Sequence, residues 1–359
     1  MDALLFVMHN RIAVYMKKMI GICGRNYDYK LLKKAGIEWV RIGTSFPFED
    51  KLYGKLTERY QNSKKMMENA VANGIKVMGI TPLLGSTRFD PELNRPDWAD
   101  GWPRDILNDN YGNPSCYERV EEICAWMAKD LEGLVTDVWQ IANELDIEVF
   151  RGPYSLDVAV KLAIASAKGI RSVRPEALCG INPAGMRNEG LELFKRCYYL
   201  GSPLNYAGID GYFGSWDHGD VEYWNTVIDR IVEITHMPVI INEWGYSSIG
   251  AVKPVSRYQY NPYEHNVCAT KLWYFSCEGE SEHTEAIQSE YLARGLELFD
   301  QHPHVLGSFM YCYSDDEICY HCGQRDCPAE CGWGIVHSDG TLKKSYKAVK
   351  NTIKKLSAC

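Results

Sequence analysis

The chain has 359 residues, 46% hydrophobic and 24% charged, an ordinary globular balance for which a single α/β barrel is long enough. A formal net charge of −8 argues against nucleic acid or an anionic membrane surface as partner. No run reaches the ~18 uninterrupted apolar residues of a membrane span.

The N-terminal stretch MDALLFVMHNRIAVYMKKMIG has a short apolar run from Ala3 to Met8 with no basic residue before it, unlike the layout of a secretion signal. Residues 1–18 therefore read as a loosely attached extension and 19–359 as one domain. Thirteen cysteines, most at positions where a small apolar residue would serve, fit a reducing compartment, and the expected location is cytoplasmic.

From there, short β-rich runs alternate with amphipathic segments. Met19 to Cys23 is the first strand; Asp28 then caps a helix that stops at Gly36. Glu38 to Ile42 is the second, and a helix through Met66, Met67, Ala70 and Val71 ends at Gly74 before the third, Ile75 to Ile80. A helix carrying Val120, Ile123, Cys124, Met127 and Leu131 leads to the fourth, Thr136 to Ala142. The fifth, Ala177 to Ile181, follows a helix from Leu156 to Val173, and the sixth, Tyr206 to Asp210, follows one from Leu191 to Leu200. A helix from Val221 to Thr235 precedes the seventh, Val239 to Ile241. A helix with Ala286, Tyr291, Leu292 and Leu298 precedes the eighth, Val305 to Tyr311, and Ser345 to Leu356 is the closing helix. Eight strands separated by helices make the count of a (β/α)8 barrel, a TIM barrel with elaborated loops after strands three, seven and eight. The alternative, a doubly wound open sheet, would carry a glycine-rich turn after strand one, and GICGRNYD does not supply it.

Two of these strands end on an Asn-Glu pair: VWQIANELD on Asn143 and Glu144, PVIINEWGYSS on Asn242 and Glu243. A charge at the end of an apolar strand is costly in a core. The C-terminal ends of barrel strands instead open on the mouth where active sites are built. Two carboxyls facing each other across a cleft can break an acetal: one, protonated, serves the leaving oxygen, while the other attacks the anomeric carbon or activates a water. Mutual repulsion and partial burial suffice to raise the pKa of one of them.

The segments IANE and INEWG resemble the clan A glycoside hydrolases, retaining (β/α)8 enzymes such as family 5 cellulases and mannanases and family 42 β-galactosidases. The resemblance implies Glu144 as acid/base, Glu243 as nucleophile and Asn143 as the partner of the sugar 2-hydroxyl. It also places Arg41, in WVRIG, and Tyr212, in IDGYFGSW, beside the nucleophile. The tail WGIVHSDGTLKKSYKAV looks like the clan's closing loop and helix. The tryptophan that the clan keeps on strand eight is replaced by Tyr311 in GSFMYCYSDDE, and family 5 histidines after strands three and six are missing. The likeness is thus to the clan rather than to one family.

Arg41 could equally be a structural ion pair, and Tyr212 and Tyr311 rim aromatics. Indoles suit stacking on sugar faces; Trp98, Trp102, Trp216, Trp244 and Trp273 are candidates, and Trp244, next to Glu243, is the one placed in the site. The spacing of Cys319, Cys322, Cys327 and Cys331 could enclose a structural zinc, with disulfides or free thiols as the alternative; the catalysis itself requires no metal. The segment from Tyr246 to Glu282 is long and rich in aromatics, as an ordered lid would be. The expected function is therefore a retaining, exo-acting β-glycoside hydrolase on a carbohydrate substrate. An endo-acting β-glycanase of the cellulase or mannanase type, a transglycosylase, and a non-catalytic carbohydrate-binding barrel remain as alternatives. A metal-dependent amidohydrolase barrel would want His-x-His on strand one, and MIGICGRN has none.

Overall fold

A computed structural model of the chain describes residues 17–49, 52–84, 88–90, 95–97, 102, 114–152, 154–215, 217, 219–249, 283–319, 325 and 330–358. Trp98, Trp216, Trp273, most of the expected lid, Cys322, Cys327 and the extension before Lys17 lie outside the described residues.

The strands are β1 Met19–Ile22, β2 Trp39–Gly43, β3 Lys76–Ile80, β4 Val138–Gln140, β5 Leu178–Gly180, β6 Ala207–Gly211, β7 Val239–Trp244 and β8 Val305–Met310. The helices of the barrel repeat are α1 Tyr29–Ala35, α2 Glu58–Ala72, α3 Pro114–Asp130, α4 Leu156–Val173, α5 Asn188–Cys197, α6 Tyr223–Thr235, α7 Glu285–Gln301 and α8 Lys344–Leu356, and one further helical turn, Glu148–Arg151, follows β4. A short antiparallel hairpin, Arg88–Asp90 with Arg95–Asp97, lies between β3 and α3. Local chemistry sets the ends. The Asp28 carboxylate accepts from the backbone N–H groups of Lys30 and Leu31 at 2.9 and 3.1 Å, starting α1. Gly36 ends it with φ 84°, a left-handed conformation that glycine adopts without a Cβ clash.

All eight strands run parallel in the order β5-β4-β3-β2-β1-β8-β7-β6. The seam between β5 and β6 closes less regularly: Gly208 N–H donates to Ile181 O at 2.8 Å and Asp210 N–H to Pro183 O at 3.0 Å. A Cβ on Gly208 would sit 2.5 Å from that Ile181 oxygen, so the residue must be glycine for the strands to meet. The result is the expected (β/α)8 barrel.

Strand alternation divides the side chains into two sets. Met19, Trp39, Met78, Val138, Tyr206, Ile240 and Phe309 fill the barrel interior. The larger apolar set, including Val40, Ile42, Val77, Ile209 and Ile241, packs against the helices. The same alternation carries Arg41 inward two residues after Trp39, and Asp210 and Tyr212 inward after Tyr206. Polar chemistry accordingly collects above the plugged interior, at the strands' C-terminal ends.

Candidate active site

On β7 the pairing with β6 shifts register: Ile209 is opposite Ile241, but Asp210 is opposite Glu243. Asn242 is the extra residue of this bulge. Consequently Asn242 and Glu243 both turn into the barrel, and Trp244 turns out. The Trp244 indole is fully buried in the helix layer, 4.9 Å from the Phe299 ring and 6.3 Å from Tyr291. Trp244 is therefore packing, not the sugar platform expected from its place next to Glu243. Trp102 is buried too, 5.7 Å from Phe46.

Glu243 is held at both oxygens. The Arg41 guanidinium donates to Oε1 and the Tyr212 hydroxyl to Oε2, while Arg41 also reaches the Asn242 carbonyl at 2.9 Å. With side-chain exposures of 8% and 11%, the Arg41–Glu243 pair is largely withdrawn from water, where a charge-assisted contact is strongest. Burial, then the charge of Glu243, push the Tyr212 phenol well above its ordinary value, so it stays a donor. Tyr212 packs edge-on to Tyr311 at 5.9 Å and to Trp333 at 5.1 Å. Tyr311 donates to Glu330 at 3.3 Å. Tyr311, just past β8, thus packs on the partner of Glu243, with the Trp333 indole from the following loop 6.0 Å from its ring.

Glu144 follows β4 on a strained turn: Ala142 and Glu144 have φ of 54° and 40°, values that side chains other than glycine seldom adopt. The Ala142 N–H is pinned by the Thr81 hydroxyl at 2.9 Å. Burial, followed by the charges of Glu243 and Asp146, raises the Glu144 carboxyl well above the usual carboxylate range, against the opposing pull of Arg41 and Arg187. Two carboxyls therefore share one mouth in opposite surroundings: Glu243 faces two strong donors, whereas Glu144 is pressed toward its protonated form.

Asn143 accepts at Oδ1 from Gln140 at 3.0 Å and from Asn182 at 2.9 Å, leaving its amide N–H groups for another partner. Below it, Asn242 donates to Gln140 at 2.8 Å. Sequence reading missed Gln140, Asn182 and Asp210, and it noted Asn242 beside Glu243 without giving it a role. The signal was present for Asn182 and Asp210, each a polar residue closing an apolar strand, as Glu144 and Glu243 do. Cys319 and Cys331 are both buried; the other two cysteines of the expected zinc set are outside the described residues. Among the described residues no cluster of three His, Cys, Asp or Glu side chains suits a metal ion, and no helix is long and apolar enough to cross a membrane.

No protein-family model and no curated protein matches the sequence. Solved structures do. A family 2 β-galacturonidase from Eisenbergiella tayi is similar with a TM-score of 0.55 at 16% identity, over 94% of this chain and 51% of that one. A glucosidase from Croceicoccus marinus is similar with a TM-score of 0.62 at 11% identity, over 95% and 68%. A family 39 glycoside hydrolase from Bacteroides cellulosilyticus has a TM-score of 0.59 at 15% identity, over 94% and 64%. The chain spans about half the length of the first of these. At such identities the likeness is one of fold, a (β/α)8 barrel of the kind on which these glycoside hydrolases are built.

Proposed function

We propose that the chain is a retaining β-glycoside hydrolase, with Glu243 as nucleophile and Glu144 as acid/base. What supports it is the pairing of environments: two carboxyls at the ends of β4 and β7, one held by Arg41 and Tyr212, the other driven toward protonation by burial and by its neighbour's charge. The glycoside hydrolases among the similar structures support the same reaction class.

In the first step a Glu243 oxygen bonds to the anomeric carbon while the bond to the aglycone oxygen breaks, and the Glu144 proton goes to that oxygen. In the second, water attacks the same carbon, gives its proton to the Glu144 carboxylate, and Glu243 departs. Asn143, with its oxygen occupied, offers an N–H to the sugar 2-hydroxyl, a contact worth most in the transition state. Exo-action on a small β-glycoside and a cytoplasmic location belong to the same reading. The first rests on the aromatic-rich segment after β7, the second on the buried thiols of Cys23, Cys116, Cys124, Cys179, Cys197 and Cys312.

The experiment is a panel of nitrophenyl β-glycosides (glucoside, galactoside, mannoside, xyloside, glucuronide, galacturonide) against three proteins. Glu243→Gln abolishes turnover of every active substrate while the fold persists. Glu144→Ala loses about 10²–10⁴-fold where the leaving group needs a proton, much less with dinitrophenolate, and azide restores rate with a β-glycosyl azide as product. Because Glu144 must carry its proton in the first step, kcat/KM falls as pH rises through its raised pKa, and Glu144→Ala lacks that limb. Near-normal rates in Glu243→Gln would remove the assignment.

A further inference from the structure

Beneath the mouth, one amide that the proposed chemistry does not use connects the ends of β4 and β6. Asn182, just past β5, is 1% exposed and spends both N–H groups: one on Asn143 Oδ1 at 2.9 Å, one on Asp210 Oδ2 at 2.7 Å. Asp210, also 1% exposed, stands opposite Glu243 in the β6–β7 pairing and is tied to Ala184 by a parallel bridge. From the other side Gln140 donates to Asn143 Oδ1 at 3.0 Å and to Ala142 O at 2.6 Å, while its own oxygen accepts from Asn242 at 2.8 Å. The Asn143 oxygen thus meets donors from two directions.

An asparagine amide can turn over, exchanging its oxygen for its nitrogen at little cost unless its partners forbid it. Turned, Asn143 would set its NH2 against the NH2 groups of both Gln140 and Asn182. Gln140 cannot turn in response, since Asn242 and the Ala142 carbonyl fix its two ends. Asn182 is held in turn by Asp210, whose Oδ2 accepts from it while the proton of this carboxyl sits on Oδ1. We propose that Asn182 and Asp210 are a positioning pair that locks the Asn143 amide with its N–H groups toward the substrate, so that the site selects sugars bearing a 2-hydroxyl acceptor.

The state of Asp210 agrees. Its Oδ1 is buried and has no hydrogen-bond partner among the described residues, a poor place for a carboxylate anion. Burial, then the charges of Glu243 and Glu144, push this carboxyl well above its ordinary range. A neutral acid with its proton on Oδ1 keeps Oδ2 as an acceptor for Asn182. An asparagine at 210 would present the same pattern, oxygen toward Asn182 and nitrogen in place of the hydroxyl. Neither residue reaches the substrate itself; both act through Asn143.

This inference rests on the role given to Asn143 above, and the test separates the two. The dinitrophenyl derivative of the β-glycoside turned over best in the panel is compared with its 2-deoxy counterpart, and the readout is the ratio of their kcat/KM values. Asn143→Ala lowers this ratio about tenfold, the size of one lost hydrogen bond. Asn182→Ala and Asp210→Ala lower it to a similar extent while their rates on the 2-deoxy substrate stay close to the parent's, and Asp210→Asn preserves most of the ratio. Asp210→Leu, which keeps the branched shape of the side chain without its polar atoms, replaces the alanine variant if the latter melts below the assay temperature. An unchanged ratio in Asn143→Ala would overturn both the role of Asn143 and the lock. A lowered ratio there with an unchanged one in the 182 and 210 variants, or an equal loss on both substrates, would overturn the lock alone.

Discussion

At Asp146 burial and hydrogen bonding pull against each other. Its Oδ1 accepts from the Ala184 N–H at 2.9 Å, yet the residue is 2% exposed and Oδ2 has no partner among the described residues. Burial prevails and lifts the carboxyl from 3.8 to about 6. A raised native-state pKa means that the folded protein binds this proton more tightly than the unfolded chain. The group is therefore least costly below pH 4, and stability drains away as pH climbs from there to 6, by on the order of 3 kcal/mol. Asp146→Asn keeps an oxygen for Ala184 and has no charge to bury. Its unfolding free energy in urea is expected to exceed the parent's at pH 7 by up to about 3 kcal/mol, with no difference at pH 4. Parallel pH profiles for the two proteins would contradict this account.

Among the elements, α4 appears in the sequence reading with the bounds it has in the structure, Leu156–Val173, because Ser155 marks its start by accepting from the Val158 N–H at 3.4 Å. β7 runs three residues further than its apolar letters, to Trp244, since backbone pairing continues through Asn242 and Glu243 whatever their side chains. α5 spans Asn188–Cys197 rather than 191–200, its first turn being polar and glycine-containing and so invisible to an apolar period. Packing between α3 and α4 turns on a glycine. A Cβ on Gly169 would lie 2.0 Å from the Glu121 carbonyl oxygen, a backbone atom that cannot step aside alone. In an isolated helix Gly169→Ala would gain about 1 kcal/mol of propensity. Here the overpacking cost of roughly 1–3 kcal/mol should outweigh it, and a lowered denaturant midpoint is the expected result. A raised midpoint would show the two helices free to separate.

For the molecule as a whole, the loops of the mouth are clasped by one buried ammonium. Lys343, at the start of α8 and with no exposed side-chain surface, donates to Ser248 Oγ at 2.7 Å, to the Gly332 carbonyl at 3.1 Å and to the Asp315 oxygens at 3.0 and 3.2 Å. It thereby joins the loop after β7 to the loop after β8, the segment that brings Trp333 against Tyr212. Removing one partner of a buried ion pair leaves the other uncompensated. Lys343→Met should cost about 3–5 kcal/mol of unfolding free energy, far more than Lys355→Met, whose ion pair with Glu297 is mostly in water. Equal small losses in the two variants would mean that the clasp carries no stability.

Element order, barrel class and the two strand-end carboxyls were legible in the sequence because each is written in a local signal: alternation of period two, a capping Asp28, a left-handed Gly36, a charge where an apolar run stops. The tertiary structure alone decided which polar residues meet. Asn143 finds Asn182 across 39 residues, and Gln140 finds Asn242 across 102. Such partnerships depend on barrel closure and register, which no window of sequence contains. The outward turn of Trp244 belongs with them, since one residue of bulge reverses the facing of everything after it.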